Sequence, residues 1–265
     1  MNVRPWVTRR FPVVSNYRGQ PVAVWLGVPL FVAIVAWTGL TTVAAVISEG
    51  RLSAGRRDLW WVVAGIAIVF MAGLYDDYRP PGRGLWNQLR QLGRGEVTPG
   101  IVKMVAVGAA SLLVAWALGA RGVRLLVGVP ALAAAANLWN LLDVVPGRAV
   151  KPFVPVAAAL GVAAGSSPLG RLLMGTAAGA IVLLVPDLLE MGMLGDAGAN
   201  VLGFLVGAGV LVVLSPPWLA VVLAALVVLH VLAETVTLSR LIEAVWPLRW
   251  FDRLGRRGDR VPPPT

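Results

Sequence analysis

Eight stretches of the chain carry almost no charge, at about 22–47, 59–75, 99–120, 122–142, 152–167, 169–190, 197–214 and 217–239. A helix of ~20 apolar residues is what a ~30 Å hydrocarbon layer demands. Inside lipid, only a structure that satisfies its own backbone can span, and a helix does so within one segment. The composition agrees, with 58% hydrophobic and 14% charged residues, against roughly 45–50% and about 25% in soluble domains. The expected fold is all-α, a polytopic integral membrane helical bundle of about eight transmembrane helices. The first run is longer than the apolar region of a secretory signal and has no cleavage-like tail, so it is expected to stay in the protein. The chain reads as a single membrane domain, 1–265, with an N-terminal segment over 1–20, the bundle over 22–239 and a basic tail over 240–265. It has no cysteine and one histidine, His230, which excludes disulfides, thiolate metal sites and His-cluster metal sites.

The formal charge is +10, and in a membrane protein the first question about such a charge is its sidedness rather than nucleic acid. Of 23 Lys and Arg residues, Arg51, Arg56, Arg57, Arg121, Arg124 and Arg171 fall on one side of the eight-span topology, and the other 17 fall on the opposite side. The positive-inside rule then puts both termini in the cytoplasm. Eleven of the 13 acidic residues lie on or near that same face, all but Glu49 and Asp58. Acids contribute little to topology, so their clustering points to a site.

Asp76 and Asp77 end the second span, Asp143 ends the fourth, and Asp196 follows the sixth. Even-numbered spans end on the cytoplasmic face, so three acidic motifs distant in sequence reach one membrane level. On the fourth span Asn137, Asn140 and Asp143 recur every three residues and share a helix face. Carboxylates with amide oxygens form a hard-oxygen donor set that suits Mg²⁺, which takes one or two carboxylates and leaves positions for water and phosphate. Arg79, Arg83, Lys103, Arg148 and Lys151 supply positive charge around it. Acids for a metal beside bases for phosphate is the composition of a phosphoryl-transfer site.

Taken singly, each piece also fits a solvated helix end, an interhelical hydrogen bond or a turn. The pairs Gly161/Gly165, Gly175/Gly179 and Gly203/Gly207 read as helix-packing faces. Trp60, Trp61 and Trp218 read as interfacial anchors, and His230 as a packed, hydrogen-bonded residue. No Walker-type glycine loop is present.

The motifs Gly73-Leu74-Tyr75-Asp76-Asp77, Asn137-x-x-Asn140-x-x-Asp143 and Leu194-Gly195-Asp196-Ala197-Gly198, in this order and after alternate spans, resemble the polyprenyl-phosphate N-acetylhexosamine-1-phosphate transferase family. That family includes the phospho-N-acetylmuramoyl-pentapeptide transferase of peptidoglycan synthesis and the enzymes that start lipid-linked glycans. The resemblance covers about residues 16–215, with weaker support from Asn16-Tyr17-Arg18-Gly19 and Thr98-Pro99-Gly100-x-x-Lys103. It implies transfer of a sugar 1-phosphate from a UDP-sugar to polyprenyl phosphate on the cytoplasmic face of a bacterial inner membrane, with Mg²⁺, or Mn²⁺ in its place. By motif position, Asn140 and Asp196 match the metal-ligating Asn and Asp. Asp76, Asp77 and Asp143 match the catalytic acidic residues. Lys103, Asn137, Arg148, Lys151 and Arg18 are the expected substrate contacts.

The chain departs from the family pattern at Pro80, where a third Asp often stands, and after Asp143, where Val144-Val145-Pro146-Gly147-Arg148 replaces a glycine-bearing continuation. The family's cytoplasmic histidine motif is absent, and the chain has fewer spans than the family's usual ten or eleven. A family-fold protein that binds a lipid-linked precursor and scaffolds a cell-envelope complex without turnover is therefore the alternative expectation. A transporter with a midplane ion site and an aspartate-rich prenyltransferase fit less well, because the acids sit at helix ends and Pro80 and Arg83 interrupt the Asp spacing. A homodimer through the glycine-bearing helices, and no nucleic-acid partner, complete the expectations. After Arg240, Trp246, Trp250 and Phe251 alternate with basic residues, which suits either an amphipathic helix on the membrane or a replacement wall for the donor pocket.

Overall fold

The computed structural model describes residues 10–79, 90–91 and 93–256. Arg83 and Pro80, which figured in the sequence reading, lie outside them. Among the described residues the fold is helical, with one short hairpin: β1 (Val13–Ser15) pairs antiparallel with β2 (Pro21–Ala23). Eight helices follow: α1 (Gly27–Glu49), α2 (Ala54–Asp77), α3 (Pro99–Ala117), α4 (Gly122–Leu142), α5 (Val150–Ala163), α6 (Pro168–Leu188), α7 (Gly195–Val213) and α8 (Pro216–Thr235). Two short helices, α9 (Leu238–Ala244) and α10 (Trp246–Arg253), end the described chain.

Seven of these helices are long and apolar enough to cross a membrane, so the chain is an all-α polytopic membrane bundle. The expected fifth span, 152–167, is the exception. Its apolar run ends in the turn Ala164-Gly165, where Gly165 has φ +61°, and α5 is left with 14 residues. At 1.5 Å per residue that is about 21 Å, short of the hydrocarbon thickness. Helix starts follow local chemistry. Thr98 and Ser167 cap the N–H groups of Ile101 and Gly170 (3.3 and 3.0 Å), and Pro99, Pro168 and Pro216 occupy first-turn positions where no N–H is needed. Hydroxyls inside spans bond their own helix, Thr38 to the Ile34 carbonyl (2.9 Å) and Ser111 to that of Val107 (2.7 Å).

The expected 197–214 span is the axis of the bundle. α7 is buried along nearly its whole length and packs against α1, α2, α3, α4, α5 and α6. Lipid tails are as apolar as Leu, so close approach rather than apolar burial holds membrane helices together. Gly207 makes this approach against Leu132 of α4, where a Cβ would stand 2.8 Å from the Leu132 Cα, and Gly203 sits against Ala135 and Ala136 one turn away. The Gly203/Gly207 pair is thus an intramolecular packing face. Gly161 packs toward Met174 and Gly170 of α6, and Gly175 meets the Trp37 ring of α1. Trp60, Trp61 and Trp218 are exposed at the end of the bundle away from the acidic motifs.

Candidate functional site

The acidic end is assembled around the start of α7. The segment before it is held by the hairpin: Met193 N–H donates to the Ala23 carbonyl (3.0 Å), and Trp25 and Leu26 N–H donate back to the Met193 carbonyl (3.2 and 3.0 Å). Gly195 then turns with φ +68°, a region that favours glycine. A side chain there would also meet the Asp77 carboxylate at 2.8 Å. α2 approaches the same turn through Gly73, whose missing Cβ leaves room for the Ala197 backbone; a Cβ would stand 2.6 Å from it.

This approach brings together the three distant motifs. Asp77 accepts from the N–H groups of Asp196 (2.8 Å) and Ala197 (3.1 Å), and Asp143 accepts from Gly195 N–H (2.8 Å). Two carboxylates from α2 and the end of α4 therefore occupy the N-terminus of α7, where unpaired N–H groups and the helix dipole favour negative charge. Lys103, one turn into α3, donates from Nζ to Asp76 Oδ2 at 2.6 Å and also to Asp196 Oδ2. Asn200 donates from Nδ2 to the Asp196 carbonyl (2.6 Å). The acids thus divide by role: Asp77 and Asp143 hold the turn, while Asp76 and Asp196 converge on one cation.

Asp143 stands among like charges. Burial pushes its carboxyl well above the usual carboxylate range, and Asp187, Asp196 and Asp77 push the same way against the Gly195 hydrogen bond. Asp187 is a residue the sequence reading counted among the acids without assigning it to the site. It is buried in α6, accepts from Gly147 N–H (2.8 Å), and its other oxygen has no hydrogen-bond partner among the described residues. The signal was present in the sequence, since an Asp after Pro186 interrupts an apolar run, and buried charge in a span defaults to a functional reading.

Several expected substrate contacts lie elsewhere. Arg148 and Lys151, expected at phosphate, turn to the C-terminal segment. Arg148 makes a forked pair with Asp252, Nε to Oδ1 at 3.0 Å and Nη2 to Oδ2 at 2.9 Å, and donates from Nη1 to Ser239 Oγ (2.7 Å). Lys151 Nζ donates to the carbonyls of Phe251 (3.1 Å), Leu254 (3.2 Å) and Asp252. Arg18 joins the hairpin turn to Glu190 (3.6 Å), and Asn16 donates to the same carboxylate (3.0 Å). Asn137 is exposed and Asn140 half-buried, and among the described residues no hydrogen bond joins either to the carboxylates. His230 lies in α8 with Nδ1 2.7 Å from the Leu226 carbonyl, a contact within its own helix.

Among the described residues no three carboxylate or imidazole groups close on a single point as a metal cage. The donor chemistry nevertheless fits a divalent cation. Asp76 and Asp196 oxygens already meet at one positive group, and two carboxylates are what Mg²⁺ usually takes from protein. Asn140, at the end of α4, is the amide the resemblance would add. No known family model matches the chain, and no curated protein matches it in sequence.

Proposed function

We propose that this protein transfers a sugar 1-phosphate, N-acetylhexosamine 1-phosphate in the family it resembles, from a UDP-sugar to polyprenyl phosphate. The products would be polyprenyl-diphosphate sugar and UMP, made at the cytoplasmic face of a bacterial inner membrane for cell-envelope glycan synthesis. One observation carries the reading: Asp76 and Asp196, 120 positions apart in the chain, converge on the ammonium of Lys103. A lysine pinned between two carboxylates is a cation-exchange site. When donor phosphates arrive, Lys103 can turn to them and leave both carboxylates to a divalent ion.

In this reaction an acceptor phosphate oxygen attacks the sugar-bearing phosphorus of the donor, the P–O–P bridge breaks, and UMP leaves with the bridging oxygen. Bound Mg²⁺ supplies charge neutralisation at the diphosphate. Lys103 steadies the same negative charge. Asp77 and Asp143 are positioning residues, which fix the turn that aims Asp196. The acceptor needs little help from a base, because a phosphate monoester with a second pKa near 6 is largely ionised at neutral pH.

A second reading, a lipid-precursor-binding protein without turnover, is favoured by the engagement of Arg148 and Lys151 with the tail. Purified protein, undecaprenyl phosphate, Mg²⁺ and a panel of radiolabelled UDP-sugars separate the two. Transfer predicts lipid-extractable label and UMP release with one donor, both lost in Asp76→Asn and Asp196→Asn. No label with any donor, from protein that still binds undecaprenyl phosphate, would replace the transfer reading with the binding one.

A further inference from the structure

The C-terminal segment is attached in an unusual way. α10 packs along α9 and makes no comparably extended contact with any spanning helix. Trp246, Leu248 and Trp250 are exposed. Leu238 packs with Leu138 and Leu226, and Arg256 donates to the Pro146 carbonyl (3.3 Å), but the centre of the attachment is one buried carboxylate. Asp252 is 4% exposed, and it is gripped by the Arg148 fork and by Arg256, both of whose side chains are 6% exposed. Lys151, also buried, reaches the carbonyls on either side.

Arg148, which forks onto the Asp252 carboxylate, and Lys151, which donates to the tail's carbonyls, both stand on the bundle, while Arg256 belongs to the tail; a forking guanidinium beside an ammonium is a donor set that recognises phosphate. Among the described residues the other carboxylate near Lys151 and Arg256 is Asp187. Once the tail leaves, Arg148 and Lys151 keep an excess of positive charge over Asp187, which a phosphate monoester, carrying about −1.5 to −2 at neutral pH, offsets in place of Asp252. Beside it lies a cleft of about 340 Å³. Phe251 and Leu254 of the tail form one wall, Val154 and Pro155 of α5 and Leu184 and Leu188 of α6 the other. Such a volume falls in the range of small-molecule sites, and its walls are apolar.

We propose that residues 238–256 form a strap displaced by a membrane lipid bearing a phosphate: the phosphate takes the place of the Asp252 carboxylate beside Arg148 and Lys151 of the bundle, and the apolar chain takes the place of Phe251 and Leu254 against the wall of Val154, Pro155, Leu184 and Leu188. Release would leave Trp246, Leu248 and Trp250 free to settle at the membrane interface. The inference deepens the transfer reading and rests on it only for the choice of lipid.

The chain has no cysteine, so Leu248→Cys alone carries a spin label in the full-length protein, reconstituted in phosphatidylcholine nanodiscs. Undecaprenyl phosphate is expected to mobilise the label, and undecaprenol at the same mole fraction is not. Asp252→Asn, which keeps the shape but not the charge, should lower the lipid needed for half-release by on the order of tenfold. Unlabelled wild-type protein gives a second measurement, because trypsin cleavage after Arg249 and Arg253 should accelerate with undecaprenyl phosphate. Absence of release at any mole fraction, equal release by undecaprenol, or release by soluble pyrophosphate alone would overturn the strap. Turnover without release overturns the strap and leaves the transfer reading intact; release without turnover does the reverse.

Discussion

Replacing Lys103 by Met keeps most of the side chain's length and removes its charge, leaving Asp76 and Asp196 facing each other. The three side chains are 15%, 22% and 27% exposed, so water screens the pair only partly. Breaking a buried ion pair costs about 3–5 kcal/mol, and this partial access places the loss near the low end, about 3 kcal/mol. At roughly 2–4 °C per kcal/mol for a chain of this size class, the thermal midpoint should fall by about 6–12 °C. If the two carboxylates form a cation site, Mg²⁺ takes the vacated charge. A ligand at a hundredfold excess over its dissociation constant stabilises by about 2.7 kcal/mol, enough to restore most of the loss. Tryptophan fluorescence during heating in detergent, with MgCl₂ compared against NaCl of equal ionic strength, measures both effects. Asp76→Asn combined with Lys103→Met should relieve the repulsion and abolish most of the Mg²⁺ response. A Lys103→Met variant that melts like wild type, or a Mg²⁺ shift equal in wild type and variant, would refute the cation site.

Two further outcomes follow from the packing of the acidic end. Gly73→Ala puts a Cβ 2.6 Å from the Ala197 backbone, so α2 must shift; a loss of about 1–3 kcal/mol should come with reduced activity even though Ala carries no chemistry, and a fully active, wild-type-stable variant would count against the close approach. The strap should respond to acid. Burial alone would raise the Asp252 carboxyl, but Arg148, by hydrogen bond and charge, and Arg256 outweigh it and hold it below the usual range. A depressed carboxyl contributes stability that is complete above its free value of about 3.9 and is lost as pH falls through the lower docked value. With Arg148 and Arg256 gripping it, a label at position 248 should be held at pH 5 and loosen below about pH 4. Asp252→Asn should show no such step, and a wild-type label that stays immobile through pH 3 would contradict the clamp.

Fold class and the outline of the acidic site were legible in the sequence because the bilayer imposes a one-dimensional rule. Charge-poor runs of spanning length alternate with charged connections, so with 152–167 counted as a crossing the ends of α2 and α4 and the start of α7 were expected at one level, where the structure brings them together although α5 is short. Seven of eight expected spans are long apolar helices. The fifth failed because apolar composition alone does not mark where Gly165 turns the chain.

What the sequence by itself determined was the set of residue types at that level: carboxylates from three motifs, and the cations among them. Only tertiary structure decided their division of labour. Gly73 and Gly195 allow α2 to come so close to α7 that Asp77 is spent on backbone N–H groups, and Asp76, one residue away, points instead to Lys103. No local pattern separates two adjacent aspartates, because the difference lies in which neighbour each helix face meets. The same holds for Arg148 and Lys151, whose partner Asp252 lies about a hundred residues downstream. Charge can be counted along a chain, but pairing depends on distance, and distance is set by packing.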